Sequence, residues 1–127
     1  MPDVKMNILV VDDFSTMRRI IKNILRQLGF VNILEADDGT TALNILRGET
    51  VNFIISDWNM PQMSGIELLK TIRTSGEWKD IPFLMVTAEG QKEQVIEAVK
   101  NKVNDYILKP FTPETLMEKI NKIFEEK

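Results

Sequence analysis

The chain is expected to fold as an α/β domain: a single five-stranded parallel sheet with helices on both faces. Two observations lead there. Five short apolar runs rich in β-branched residues alternate with segments of helical period along the 127 residues, the pattern of repeated β-α units. The first, third and fourth runs are almost wholly apolar, as burial on both faces of a parallel sheet requires.

The first strand, Asn7 to Val11, carries Ile8-Leu9-Val10-Val11. After it Met17, Ile20, Ile21, Ile24, Leu25 and Leu28 recur at helical spacing and predict one buried helix face. The second strand is Asn32 to Ala36. Asp37-Asp38-Gly39-Thr40 then reads as a turn into a helix at 39–47. It is not the Asp-x-Asp-Gly nucleophile loop of another aspartyl-phosphate class, because the position two before Asp38 is Ala36. The third strand is Phe53 to Ser56, with Ser64 capping a helix at 65–74. The fourth is Pro82 to Thr87, followed by a helix at 91–101, and the fifth is Asp105 to Leu108. The last helix places Leu116, Met117, Ile120, Ile123 and Phe124 on one side and has clear start signals. Thr112 is its N-cap, Pro113 its first residue and Glu114 sits in its first turn. No linker or low-complexity tract interrupts this pattern, so residues 1–127 are expected to be one domain.

Composition removes several function classes. Sixteen Lys and Arg against nineteen Asp and Glu give a net charge of −3, a poor basis for holding nucleic acid. There is no cysteine and no histidine, hence no thiol nucleophile, no Ser-His-Asp triad and no imidazole or thiolate metal site. The glycines, at 29, 39, 48, 65, 76 and 90, are never closer than nine residues. That spacing excludes the dinucleotide fingerprint and the P-loop. The N-terminus lacks an apolar leader core and no apolar run approaches membrane-spanning length, so a cytoplasmic protein is expected.

The chemistry therefore falls to carboxylates, hydroxyls and lysines, and these collect at strand ends. The first strand runs into Asp12-Asp13, the third into Asp57, the fourth into Thr87 and the fifth into Lys109-Pro110. Ligands of open parallel sheets bind beyond the carboxyl ends of the strands. If these strands are neighbours, three carboxylates, a hydroxyl and an ammonium converge there. Three such carboxylates must hold protons or a cation, and an all-oxygen donor set selects Mg²⁺ before Ca²⁺. A lysine does not help bind a metal. It makes sense if a more negative group such as phosphoryl is also accommodated, and a carboxylate can itself be the nucleophile that takes it.

Asp12-Asp13, Asp57, Thr87 and Lys109-Pro110, in this order and spacing, resemble the receiver domain of two-component response regulators. The resemblance covers essentially the whole chain. The longer strings Val10 to Arg19, Ser56 to Pro61, Met85 to Glu89 and Lys109 to Thr112 are similar to the single-domain chemotaxis members of that family. The resemblance implies the flavodoxin-like fold with strand order 2-1-3-4-5. It implies Asp57 as phosphoacceptor, with Asp13, Asp57 and the backbone carbonyl of Asn59 on Mg²⁺ and Asp12 acting mainly through a metal-bound water. Lys109 would pair with the phosphoryl group and Thr87 would hydrogen-bond it, letting the Tyr106 ring turn inward. The face made by the fourth helix, fifth strand and fifth helix, with Lys92, Lys100, Lys102, Lys119 and Lys122 on or beside it, would then change its affinity for partners. Lys119 is singled out there as an output residue. The implied partners are a chemotaxis histidine kinase, a flagellar motor switch protein and a dedicated phosphatase, with no nucleic acid or membrane, and the chain is expected to be a monomer. It would be primarily a phosphorylatable switch, with self-phosphorylation from small donors and autodephosphorylation activity. Lys109-Pro110 is usually cis in the family.

Taken singly, these residues have plainer readings. An Asp-Asp pair after a strand is usually a solvated turn or helix cap, Thr87 a loop cap, Tyr106 a half-buried strand aromatic and each lysine a solvated surface residue. Trp58 is expected to be partly exposed and useful as a fluorescent reporter. Alternatives are a phosphorelay carrier that passes phosphoryl to a histidine, an FMN-binding flavodoxin-like protein and a metal-dependent phosphatase. Two departures stand out. Ser64-Gly65 replaces the more usual Asp-Gly. Lys100-Asn101-Lys102-Val103-Asn104 has no glycine where relatives have an Ala-Gly-Ala-like turn, so Asn101 or Asn104 is expected to take the left-handed conformation and leave that end looser. Glu89-Gly90 is expected to ease motion of the loop after Thr87.

Overall fold

The computed structural model describes residues 3–88 and 92–125. Five strands and five helices alternate through it: β1 (Asn7–Val11), α1 (Ser15–Gln27), β2 (Asn32–Ala36), α2 (Gly39–Gly48), β3 (Phe53–Asp57), α3 (Gly65–Arg73), β4 (Phe83–Ala88), α4 (Lys92–Lys100), β5 (Asp105–Lys109) and α5 (Pro113–Glu125). The strands form one parallel sheet in the order β2-β1-β3-β4-β5. The expected architecture and strand order therefore hold. Expected ends shift by a residue: Asp57 closes β3 and Lys109 closes β5, and β4 starts at Phe83 rather than Pro82. The Glu89-Gly90 loop and Gln91, the first residue of the expected fourth helix, lie outside the described residues.

Side chains alternate strictly across the sheet, and this builds two cores. Leu9, Val11, Ile54, Phe83 and Met85 face α2, α3 and α4. Ile8, Val10, Phe53, Ile55, Leu84, Val86 and Ile107 face α1 and α5. The Phe53 ring meets Phe124 of α5 edge-on, centroids 5.1 Å apart, which fixes the foot of α5 against the sheet. Ile20 and Met117, counted on the buried helix faces, are exposed; each sits at the margin of its apolar stripe.

Caps fall where polar residues precede the helices. The Asp38 carboxylate accepts from the Thr40 and Thr41 N–H groups, and the Thr41 hydroxyl accepts from the Asp38 N–H, a complete capping box. Ser64 and Glu67 form another on α3, and the Thr112 hydroxyl accepts from the Thr115 N–H on α5. At the end of α1, Gly29 (φ 102°) closes a left-handed turn in which the Phe30 N–H reaches Leu25 O.

The end of α4 corrects the expectation for its asparagines. Neither adopts positive φ; Lys102 does, at 65°. The Val103 N–H donates to Ala98 O and the Lys102 N–H to Val99 O, the Schellman pattern, with Val103 packed on the Ala98 core. The position of that apolar contact decides which residue turns left-handed. Nor is the end loose. Arg73 of α3 donates to the carbonyls of Lys102, Lys79 and Ile81 and to Asn104 Oδ1, which also accepts from the Phe83 N–H. Asn104 is thus committed to holding β4. Arg73→Ala is expected to cost about 2 kcal/mol, since it removes several charge-assisted bonds; the check is a lower urea midpoint at unchanged slope.

Candidate functional site

β3 is the middle strand and β1 its neighbour, with Val11 opposite Ser56, so the residues that follow β1 come up beside Asp57. Pleat alternation sends Asp57 to the side of Phe53 and Ile55, and Lys109 to the side of Ile107, which is the same side. One carboxylate oxygen from each of Asp12, Asp13 and Asp57 lies within 4.8 Å of the others. Lys109 Nζ stands 2.9 Å from Asp57 Oδ1. The structure thus brings together four of the residues selected from sequence. Asp12 and Asp57 are buried, and Asp13 is the more open member.

The bonds of Asp12 are almost all committed. Its N–H donates to Ala36 O, its carbonyl accepts from Arg18 Nη1 at 2.6 Å and its Oδ1 accepts from the Phe14 N–H at 2.9 Å. Among the described residues, Oδ2 is left buried without a partner, and so is Asp13 Oδ1. Burial is the largest influence on the Asp12 carboxyl and raises its pKa, reinforced by the Asp57 charge. Burial likewise raises that of Asp57, against the opposing hydrogen bond and charge of Lys109. Two unsatisfied buried carboxylate oxygens facing a third carboxylate are what a hard divalent cation satisfies, so the donor set fits Mg²⁺.

The remaining residues sit around this cluster. Asn59 is exposed on the loop two residues beyond Asp57. Thr87 is buried near the end of β4, but its hydroxyl donates to Ala88 O at 3.1 Å. By alternation Thr87 follows Met85 onto the other face of the sheet, the face against which Tyr106 packs. Tyr106 is half-buried, and Lys119 Nζ lies 5.2 Å from its ring centre and 3.2 Å from Asp105 Oδ1. The Lys109–Pro110 peptide is cis. Trp58 corrects the expectation of partial exposure: at 7% exposed it is part of the core under α2 and α3.

Two contributors escaped the sequence reading. Gly65 is one: a Cβ there would overlap the Asp57 carbonyl oxygen and crowd Trp58 Cα, so only glycine lets α3 start against the backbone of this site. Its signal is the glycine of Ser64-Gly65, directly after the helix cap. Arg18 is the other, and a lone arginine on a helix carries no signal of what its guanidinium will meet.

Because the native Asp12 pKa is raised, the native state holds the proton more tightly than the unfolded chain. Stability therefore falls as pH rises from the unfolded value through the raised native one, and a destabilising charge remains above that window. Asp12→Asn is expected to melt higher than the unsubstituted protein at pH 7 in chelator, about 4 °C for each kcal/mol relieved. Melting curves recorded down to pH 3 should show the gap closing.

The response regulator receiver domain family model matches residues 8–121. Over 120 residues the chain is 61% identical to the chemotaxis protein CheY-3 of Vibrio cholerae, covering 94% of this chain and 92% of that protein. It is 59% identical to the chemotaxis protein CheY of Pseudomonas aeruginosa, covering 94% and 97%. Among solved structures, Vibrio cholerae CheY4 superposes with a TM-score of 0.86 at 33% identity, covering 94% of this chain and 98% of that one. A putative response regulator from Chloroflexus aurantiacus gives 0.90 at 30%, covering 96% and 99%. With this match, these relatives and this site, the chain belongs to the response regulator receiver domain family, in its CheY-like chemotaxis branch.

Proposed function

We propose that the chain is a phosphorylation-controlled switch in which Asp57 accepts a phosphoryl group from a chemotaxis histidine kinase. The observation that carries this reading is the Lys109–Asp57 pair at 2.9 Å beside the two unpartnered carboxylate oxygens. An Asp57 oxygen attacks phosphorus as the bond to the donor's leaving group breaks, and the product is an aspartyl phosphate. Lys109 stays beside the acceptor and holds negative charge that the transfer adds. Asp12 Oδ2, Asp13 Oδ1, Asp57 and the Asn59 carbonyl would hold Mg²⁺, with Asp12 mainly through water. The bound ion supplies neutralisation of carboxylate and phosphoryl charge.

Among the described residues the Thr87 hydroxyl makes only a long bond to its neighbour's carbonyl, and it exchanges that bond for a phosphoryl oxygen. That draws the end of β4 toward the site and leaves room for the Tyr106 ring to turn inward. The Tyr106–Lys119 face then changes its affinity for partners, by as much as the phosphoryl group binds the two states differently. On this reading the chain acts as a cytoplasmic, monomeric, single-domain regulator whose output is binding a flagellar motor switch protein. Hydrolysis of the aspartyl phosphate ends the signal, and a dedicated phosphatase speeds it. Similarity to chemotaxis proteins over nearly their whole length supports this choice of partners.

Intact mass after incubation with acetyl phosphate and Mg²⁺ tests the chemistry. The expected result is a single phosphoryl adduct, absent in Asp57→Asn and absent in chelator. Lys109→Ala should slow its formation by about a hundredfold, the cost of one well-placed cationic donor. An unmodified protein, or an adduct that survives in Asp57→Asn, overturns the reading.

A further inference from the structure

Arg18 stands one step behind the acidic cluster. Its Nη1 donates to the Asp12 carbonyl at 2.6 Å while its Nε donates to Glu35 Oε1 at 2.9 Å. Lys22 Nζ takes the other oxygen of Glu35, Oε2, at 2.7 Å. These bonds join β2, α1 and the residues just beyond β1. Glu35 is held by two cations from successive turns of α1, and its pKa is lowered, first by the Lys22 bond. The rigid planar fork of the guanidinium allows one side chain to take a carboxylate and a carbonyl at fixed angles.

The Asp12 carbonyl belongs to the peptide plane that ends at the Asp13 Cα. Fixing that oxygen fixes the plane, and with it the direction in which Asp13 leaves the backbone. The Phe14 N–H fixes the Asp12 carboxylate from the other end. Together these bonds explain how Asp12 Oδ2 and Asp13 Oδ1 stay buried, unpartnered and near Asp57 instead of turning to water.

We propose that Arg18, oriented by Glu35, is a positioning residue for the divalent-cation site: it sets the Asp12–Asp13 peptide so that both carboxylates face the ion. The proposal rests on the Mg²⁺-dependent reading of the site. Its electrostatics give it a sign. A guanidinium near a cation site repels the cation, so an Arg18 acting by charge alone weakens Mg²⁺ binding, whereas an Arg18 acting by position strengthens it.

Calorimetric titration with Mg²⁺ alone separates the two, in the unsubstituted protein and in Arg18→Ala, Arg18→Lys and Glu35→Gln. Arg18→Ala is expected to raise the dissociation constant by about tenfold, the lower end of the effect of residues that orient metal ligands. Arg18→Lys should not rescue it, because an ammonium keeps the charge and loses the fork. Glu35→Gln, at the exposed end of the network, should shift binding the same way by less, and it keeps the test open should Arg18→Ala unfold. Unchanged or tighter binding in the Arg18 variants, or full rescue by lysine, overturns the proposal while the site reading stands. Absence of Mg²⁺ binding by the unsubstituted protein overturns both.

Discussion

Three carboxylates held within 4.8 Å of one another impose the main constraint on this molecule. Like charges 4 Å apart cost about 4 kcal/mol at the effective dielectric of a protein surface, comparable to losing one large core side chain. A pliable scaffold would relieve that by letting the carboxylates part. Here they stand at the end of the middle strand and just beyond its neighbour β1, with a core packed on each face of the sheet. Gly65 brings the start of α3 against the Asp57 carbonyl, and the Asp12 backbone is bonded on both sides. Lys109 answers part of the repulsion, while burial adds to the cost of charge on Asp12 and Asp57 and raises both pKa values.

Most of this was legible in the sequence, because two-sided burial leaves so few options. A strand buried on both faces keeps charge for its end, so Asp12 and Asp57 mark the ends of β1 and β3 and the functional edge together, with Thr87 and Lys109 toward the ends of β4 and β5. What the sequence hid depends on packing between distant segments. Trp58 beside an acidic loop looks exposed until α2 and α3 close over it. The left-handed turn after α4 went to Lys102 because Val103 must reach Ala98, a requirement that residue preference does not express. The anchoring roles of Arg18 and Arg73 are set by which carbonyls happen to face them.

The pleat also divides the proposed machinery in two. Asp57 and Lys109 project to the α1–α5 side, and Thr87 and Tyr106 to the α2–α4 side. A change at the acidic cluster reaches Thr87 around the carboxyl end of β4 and Tyr106 along β5 from Lys109, since packed strands block any route through the sheet. The buried Thr87 hydroxyl, bonded only to its neighbour's carbonyl among the described residues, stands at that corner.

Lys109 reaches Asp57 from two strands away. With neighbouring strands about 4.8 Å apart, the tie runs roughly 10 Å sideways over the end of β4, which takes a side chain as long as lysine's. One anchor is the middle of the sheet and the other is β5, which pairs on one side only. The ion pair therefore ties the middle strand of the sheet to one of its two edge strands. On the proposed reading, a change of charge on Asp57 alters the pull on Lys109, so an edge strand feels what happens at the centre.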